Sequence, residues 1–250
     1  ILANNAHLIF DADRSYPIGG INPRPPIFTW SIAVVATLLE PFFSNGDAVW
    51  WAILSLPAIY GAFTILPVAY IAREHVNEKA AVVAAWLIAF MPAHVSHTTW
   101  ALADHDAFIM LFITLGFMFW LRAVKYAGSE RLLRSSSPSA LSFINAFTAV
   151  TQERRAALSA AVLAGVSFGI VSLGWKGFVV GPSIIFLAYA AQVALNMFRR
   201  RDSTTLNVLF LTMLAVNFLM ALPFYGHPQI DLMLDGTGLQ PFLFIVIFTV

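Results

Sequence analysis

The sequence contains no cysteine in 250 residues. That excludes disulfides and thiolate metal sites, and leaves the redox compartment open. Charge is scarce too. Only 11% of residues are Asp, Glu, Lys or Arg, against about 25% in a soluble domain. Apolar residues make up 59%, and the mean hydropathy is +0.78. An ordinary soluble domain is excluded, and an integral membrane protein is implied. The net charge of +1 and the lack of a basic, aromatic-interleaved face give no nucleic-acid partner. No stretch alternates with period 2, which argues against a transmembrane barrel. The chain opens on Ile1 without a charged-then-apolar leader. Its end, 241–250, is an apolar run shorter than the about 20 residues that cross a bilayer. The expectation is an internal fragment, truncated at both ends.

What is present is a succession of apolar runs, at about 49–72, 80–95, 107–121, 157–173, 177–198 and 206–224. They predict an all-α membrane protein, a polytopic helical bundle spanning 27–250. Residues 1–26 are polar and broken by Tyr16-Pro17 and Pro23-Arg24-Pro25-Pro26, so they read as a loop. The apolar run at 27–42 is short and ends at Glu40-Pro41, which suits a partial or re-entrant helix. With each run crossing once, loops at 73–79, 122–156 and 199–205 fall on one side. They carry Arg73, Lys79, Arg122, Lys125, Arg131, Arg134, Arg154, Arg155, Arg199, Arg200 and Arg201, which is 11 of the 14 basic residues. Lysine and arginine collect on the cytoplasmic side, so these loops are cytoplasmic. Asp11, Asp13, Glu40, Asp47, Asp104, Asp106, Asp231 and Asp235 then face outward.

The outer loop at about 95–106 holds the densest chemistry. His94, His97, Asp104, His105 and Asp106 fall within thirteen residues between two apolar runs. Ionisable groups beside a bilayer are costly and mark functional sites by default. Asp104 and Asp106 are two apart, and in an extended or turn backbone such residues point to one side. Two carboxylates there suit a hard cation, Mg²⁺ or Mn²⁺. Capping of the following helix is the structural alternative. His94, His97 and His105 read as groups that support the metal-binding carboxylates or as hydrogen-bonded loop residues, and a histidine-based zinc site is a further alternative.

Other polar residues carry weaker signals. Asp11-Ala12-Asp13 precedes a Tyr-Pro turn and reads as a turn motif. Arg24, between prolines, is an outer cation suited to a phosphate or substrate contact. Lys176, beside Trp175, is an interfacial anchor, and Arg199-Arg200-Arg201 a topology anchor. His75 and His227 read as incidental.

Phe10-Asp-Ala-Asp-Arg-Ser-Tyr-Pro-Ile-Gly19 with Pro25-Pro-Ile-Phe28 resembles the end of the first extracellular loop of oligosaccharyltransferase catalytic subunits. Pro92-Ala-His-Val-Ser-His-Thr-Thr-Trp-Ala-Leu-Ala-Asp-His-Asp106 resembles their second extracellular loop, in its archaeal (AglB-type) form. The Gly174-Trp-Lys-Gly177 turn also fits. The resemblance implies a GT-C glycosyltransferase fold. It implies transfer of a glycan from a dolichol-type phosphate or pyrophosphate carrier to asparagine of an Asn-x-Ser/Thr sequon in an acceptor polypeptide. It further implies that Asp104 and Asp106 are the catalytic residues and ligate Mn²⁺ or Mg²⁺. A multi-pass protein of the cell membrane, in contact with its lipids and with its active-site loops outside, is the corresponding localisation. The family's first-loop aspartate, later-loop glutamate and Trp-Trp-Asp-type motif are expected outside residues 1–250, so this chain alone is expected to be inactive.

Two other functions compete. One is another GT-C lipid-linked sugar transferase. The other is a metal or proton transporter using the same histidines and aspartates. Transporters place such groups near the bilayer midplane and often show internal repeats. Here the cluster lies at a helix end and no repeat is found.

Overall fold

A computed structural model describes residues 10–11, 20–21, 25–102, 104–128, 148, 150–151 and 154–225. Arg24, Asp13, His227, Asp231, Asp235 and the apolar run at 241–250 lie outside the described residues. A two-residue antiparallel pairing joins β1 (Phe10–Asp11) to β2 (Gly20–Ile21), with Phe10 opposite Ile21. Helices make up the rest of the described architecture.

The first helix, α1 (Ile27–Leu39), starts after Pro25-Pro26 and stops before Pro41. Proline supplies φ but no N–H, so it favours a helix start and ends a preceding helix. At about 20 Å, α1 is too short to cross a membrane, as expected for 27–42. Helix α2 (Asn45–His75) begins at the N-cap Ser44, whose hydroxyl oxygen accepts from the Asp47 N–H at 3.4 Å. It continues through Pro57 and Pro67. Asn77 then caps α3 (Glu78–Phe90) by accepting from the Ala80 N–H at 2.8 Å.

The run at 80–95 is not one straight helix. It breaks at Met91-Pro92 into α3 and α4 (Pro92–Thr98), which differ in direction by 58°. The proline has no N–H to continue the ladder. Four long helices follow: α5 (Asp106–Ala127), α6 (Arg155–Ser172), α7 (Val180–Phe198) and α8 (Thr204–Tyr225).

Among the described residues, five helices, α2, α5, α6, α7 and α8, are long and apolar enough to cross a membrane, and the bent pair α3–α4 makes up to six. The polytopic helical fold is therefore as expected, and the protein is a multi-pass membrane protein. The helices run further into their polar flanks than the hydropathy suggested. Arg73 lies in α2, and Arg122 and Lys125 lie in α5 rather than in loops. Arginine and lysine are good helix formers, so the helix need not stop where the apolar run does. His94 and His97 likewise lie in α4, not in an open loop.

The core is built where α6 packs between α5 and α8. One stripe of α6 is small throughout: Ala157, Ala161, Gly165 and Gly169, spaced by four. Such stripes let membrane helices approach closely. A Cβ on Gly165 would lie 2.6 Å from the Met213 carbonyl oxygen in α8. Phe168 fills the space on the other side, against Gly116 of α5 and Gly181 of α7. Large apolar side chains such as Val82, Trp86, Leu87 and Phe90 of α3 are exposed, as expected for a helix facing lipid tails.

Candidate functional site

The site forms where α4 ends and α5 begins, and α2 fixes both. His94, at 8% exposure the buried residue of α4, places Nε2 3.2 Å from the Gly61 carbonyl oxygen. A carbonyl only accepts, so Nε2 carries the proton. Gly61 leaves just enough room for Thr98, whose side chain occupies the space a Cβ would need. The Thr98 hydroxyl donates to the His94 carbonyl at 2.8 Å. Beyond α4, Trp100 meets Trp51 edge to face with centroids 5.7 Å apart. The Ala101 N–H donates to the Leu54 carbonyl at 3.0 Å. Ala101 holds φ of 71°, a left-handed conformation that strains a residue with a Cβ. That turn redirects the chain toward α5.

Asp104 and Asp106 flank His105, the N-cap of α5. Asp104 Oδ1 accepts from the His105 backbone N–H at 2.7 Å, and the His105 carbonyl accepts from Ile109 at 3.0 Å. Asp106 is the first residue of α5, where the helix dipole favours a negative charge. His105 makes no side-chain cap bond. Helix capping therefore does not account for Asp104, which lies outside the helix.

The two histidines divide the carboxylate oxygens between them. His97 Nδ1 lies 3.0 Å from Asp106 Oδ2 and 3.9 Å from Asp104 Oδ2. His105 Nδ1 lies 2.9 Å from Asp104 Oδ1, and its Nε2 3.9 Å from Asp106 Oδ1. Among the described residues, His97, Asp104 and Asp106 form the group able to hold a metal ion, with one ligand atom from each within 4.8 Å of the others. His94 is not part of it, and a three-histidine zinc site does not form. All three side chains are partly solvent-accessible, so ligands can reach them.

Behind the site lies an aromatic floor. Phe28 of α1 sits 6.3 Å from the His105 ring and 5.9 Å from Phe108, and Tyr60 of α2 meets Phe108 edge-on at 5.2 Å. The Ile27 N–H donates to the Leu173 carbonyl at 3.0 Å, tying α1 to the end of α6. Phe28 closes the Pro25-Pro-Ile-Phe28 motif, but Leu54, Tyr60 and Gly61 did not stand out in the sequence, since each is apolar or small within an apolar run. Lys176 lies near this end of the bundle, in the turn between α6 and α7, and is not part of the cluster.

A family model described as "Oligosaccharyl transferase STT3, N-terminal" matches residues 1–249. The chain belongs to the oligosaccharyl transferase STT3 family. A curated relative is dolichyl-phosphooligosaccharide-protein glycotransferase 3 of Archaeoglobus fulgidus, 24% identical over 222 residues, or 88% of this chain and 23% of the relative. Two solved structures of the Archaeoglobus fulgidus oligosaccharyltransferase share the fold. Its apo form matches with a TM-score of 0.75 at 21% identity, over 99% of this chain and 27% of that one. The AglB complex with an inhibitory peptide and a dolichol-phosphate matches with a TM-score of 0.72 at 22% identity, over 98% and 28%. The chain thus spans about a quarter of the length of these STT3-family relatives. Within the family frame, the His97–Asp104–Asp106 cluster falls in the segment whose sequence had suggested the likeness.

Proposed function

We propose that this chain is the N-terminal membrane part of a metal-dependent oligosaccharyltransferase. The enzyme transfers a glycan from a dolichol-type phosphate or pyrophosphate carrier to asparagine of Asn-x-Ser/Thr sequons. The observation that carries the reading is the meeting of Asp104 and Asp106 at the N-terminus of α5, in a chain of this family. A solved relative binds a dolichol-phosphate and an inhibitory peptide, and another holds a peptide containing the NVT sequon. Those ligand classes match the donor and acceptor proposed here.

The donor atoms suit Mn²⁺ or Mg²⁺: carboxylate oxygens converge there, and the site has no thiolate. A bound cation supplies charge neutralisation at the departing phosphate. The chain's own residues do the positioning. Asp104 is held by the His105 N–H. Asp106 is held at the α5 terminus, and the His105 ring braces Asp104. Fixed carboxylates bind the cation and orient the asparagine amide without reorganising during reaction. The acidic end of the bundle is the extracellular face of the cell membrane, and the arginine-rich end is cytoplasmic. Arg24, placed by the sequence in the outer loop, is the proposed phosphate or substrate contact.

The test uses the full-length protein in detergent. Asp104→Ala and Asp106→Ala are made singly, and transfer from a dolichol-linked oligosaccharide to an Asn-x-Thr peptide is measured with Mn²⁺ or Mg²⁺. Each should lose at least about 100-fold in rate. Undiminished transfer in both would overturn the assignment.

A further inference from the structure

We infer that His97 is a third metal ligand, binding through Nδ1, and that it biases the site toward Mn²⁺ over Mg²⁺. This rests on the reading of Asp104 and Asp106 as a metal site and adds a donor to it.

The argument is geometric. A cation between Asp104 Oδ2 and Asp106 Oδ2 faces the one imidazole nitrogen that approaches both atoms, His97 Nδ1, at 3.9 and 3.0 Å. His105 approaches the opposite oxygens, Oδ1 of each aspartate, at 2.9 and 3.9 Å. His105 is thereby a brace on the Oδ1 side of the carboxylates, and His97 completes the Oδ2 side. Two oxygens and one nitrogen on one side of an ion leave its other positions open for phosphate oxygens and water.

The scaffold holds His97 for this role. A ligand must be oriented before the ion arrives, or ordering it weakens binding. His97 lies in the last turn of α4, and α4 is pinned by the buried His94–Gly61 contact, by Thr98 against Gly61, and by Ala101 on Leu54. His94 therefore acts through α4, as a positioning residue for His97. The chemistry sets the selectivity. Mg²⁺ is bound by carboxylates, phosphates and waters, and gains little from imidazole. A transition ion accepts the nitrogen readily.

The experiment reads metal binding, not turnover. Full-length protein, His97→Gln, His97→Ala, His105→Ala and Asp106→Ala are titrated with Mn²⁺ and separately with Mg²⁺. Mn²⁺-loaded samples are examined by electron spin echo spectroscopy for imidazole nitrogen modulation. Thermal unfolding without metal checks that each variant is folded. Both His97 variants should weaken Mn²⁺ binding by about 10- to 100-fold, weaken Mg²⁺ binding less, and abolish the nitrogen modulation. His105→Ala should keep the modulation. If the His97 variants keep both the modulation and the Mn²⁺ affinity while Asp106→Ala loses binding, the inference fails and the aspartate site stands. If Asp106→Ala also binds Mn²⁺ unchanged, the metal-site reading itself fails.

Discussion

Glu74 Oε2 lies 3.1 Å from Arg122 Nε, joining the last turn of α2 to α5 at the end of the bundle remote from the site. The contact is an ion pair without good hydrogen-bond direction at Nε. Arg122 satisfies its Nη2 instead on the Tyr70 and Tyr126 hydroxyls, at 3.0 and 3.1 Å, with its guanidinium 4.7 Å above the Tyr70 ring. Lys125 Nζ adds a second charge 3.5 Å from Glu74 Oε1 and donates to the Glu74 carbonyl at 3.0 Å.

Removing the Glu74 charge should therefore destabilise the bundle without touching the site. Glu74→Gln leaves two cations facing a neutral amide. A fully buried pair broken this way costs about 3–5 kcal/mol, and water at Arg122 and Lys125 brings that to about 1–3 kcal/mol. Thermal unfolding in detergent should show a lower midpoint, partly regained in Glu74→Gln/Arg122→Gln, with Mn²⁺ affinity unchanged. A midpoint equal to wild type would show that the clasp contributes nothing.

Gly61 offers a test of how α2 positions the site. Gly61→Ala puts a methyl group where the Thr98 side chain sits, so α4 must shift away. A displacement of about 1 Å in a positioned catalytic group costs about 100-fold in rate. Transfer should drop by that order, and Thr98→Gly in the same molecule should recover much of it. Full activity in Gly61→Ala alone would mean that α4 has slack the packing does not suggest.

Orientation can be mapped because the chain has no cysteine of its own. Ser96, in α4, and Lys79, at the start of α3, are both exposed and lie toward opposite ends of the bundle. Ser96→Cys should react with a membrane-impermeant maleimide on intact cells. Lys79→Cys should react only after the membrane is opened. The reverse pattern would invert the assigned topology.

Hydropathy alone located the long helices, because a bilayer demands apolar length and little else. It placed their ends poorly. Arg73, Arg122 and Lys125 continue helices whose apolar stretch has already stopped; Arg122 and Lys125 meet Glu74 there, and Arg73 meets Glu78. Pro92 was visible in the sequence, yet whether it ends, kinks or starts a helix depends on what the next residues pack against. The same holds for the site. Asp104 and Asp106 announce themselves by rarity in an apolar chain. The distinct tasks of the three histidines do not, because His94 finds Gly61 33 residues away, and His97 and His105 differ only in which carboxylate oxygens they approach.

The break at Met91-Pro92 has a mechanical consequence. Met91 N–H still reaches the Ile88 carbonyl at 3.4 Å, but Pro92 has no N–H to extend the ladder. Force along α3 is thus not passed down a rigid rod into α4. Thickness changes or sideways pressure in the surrounding bilayer act on α3, whose outer side chains lie exposed, and reach α4 through α2, on which both helices pack, rather than along a continuous helix.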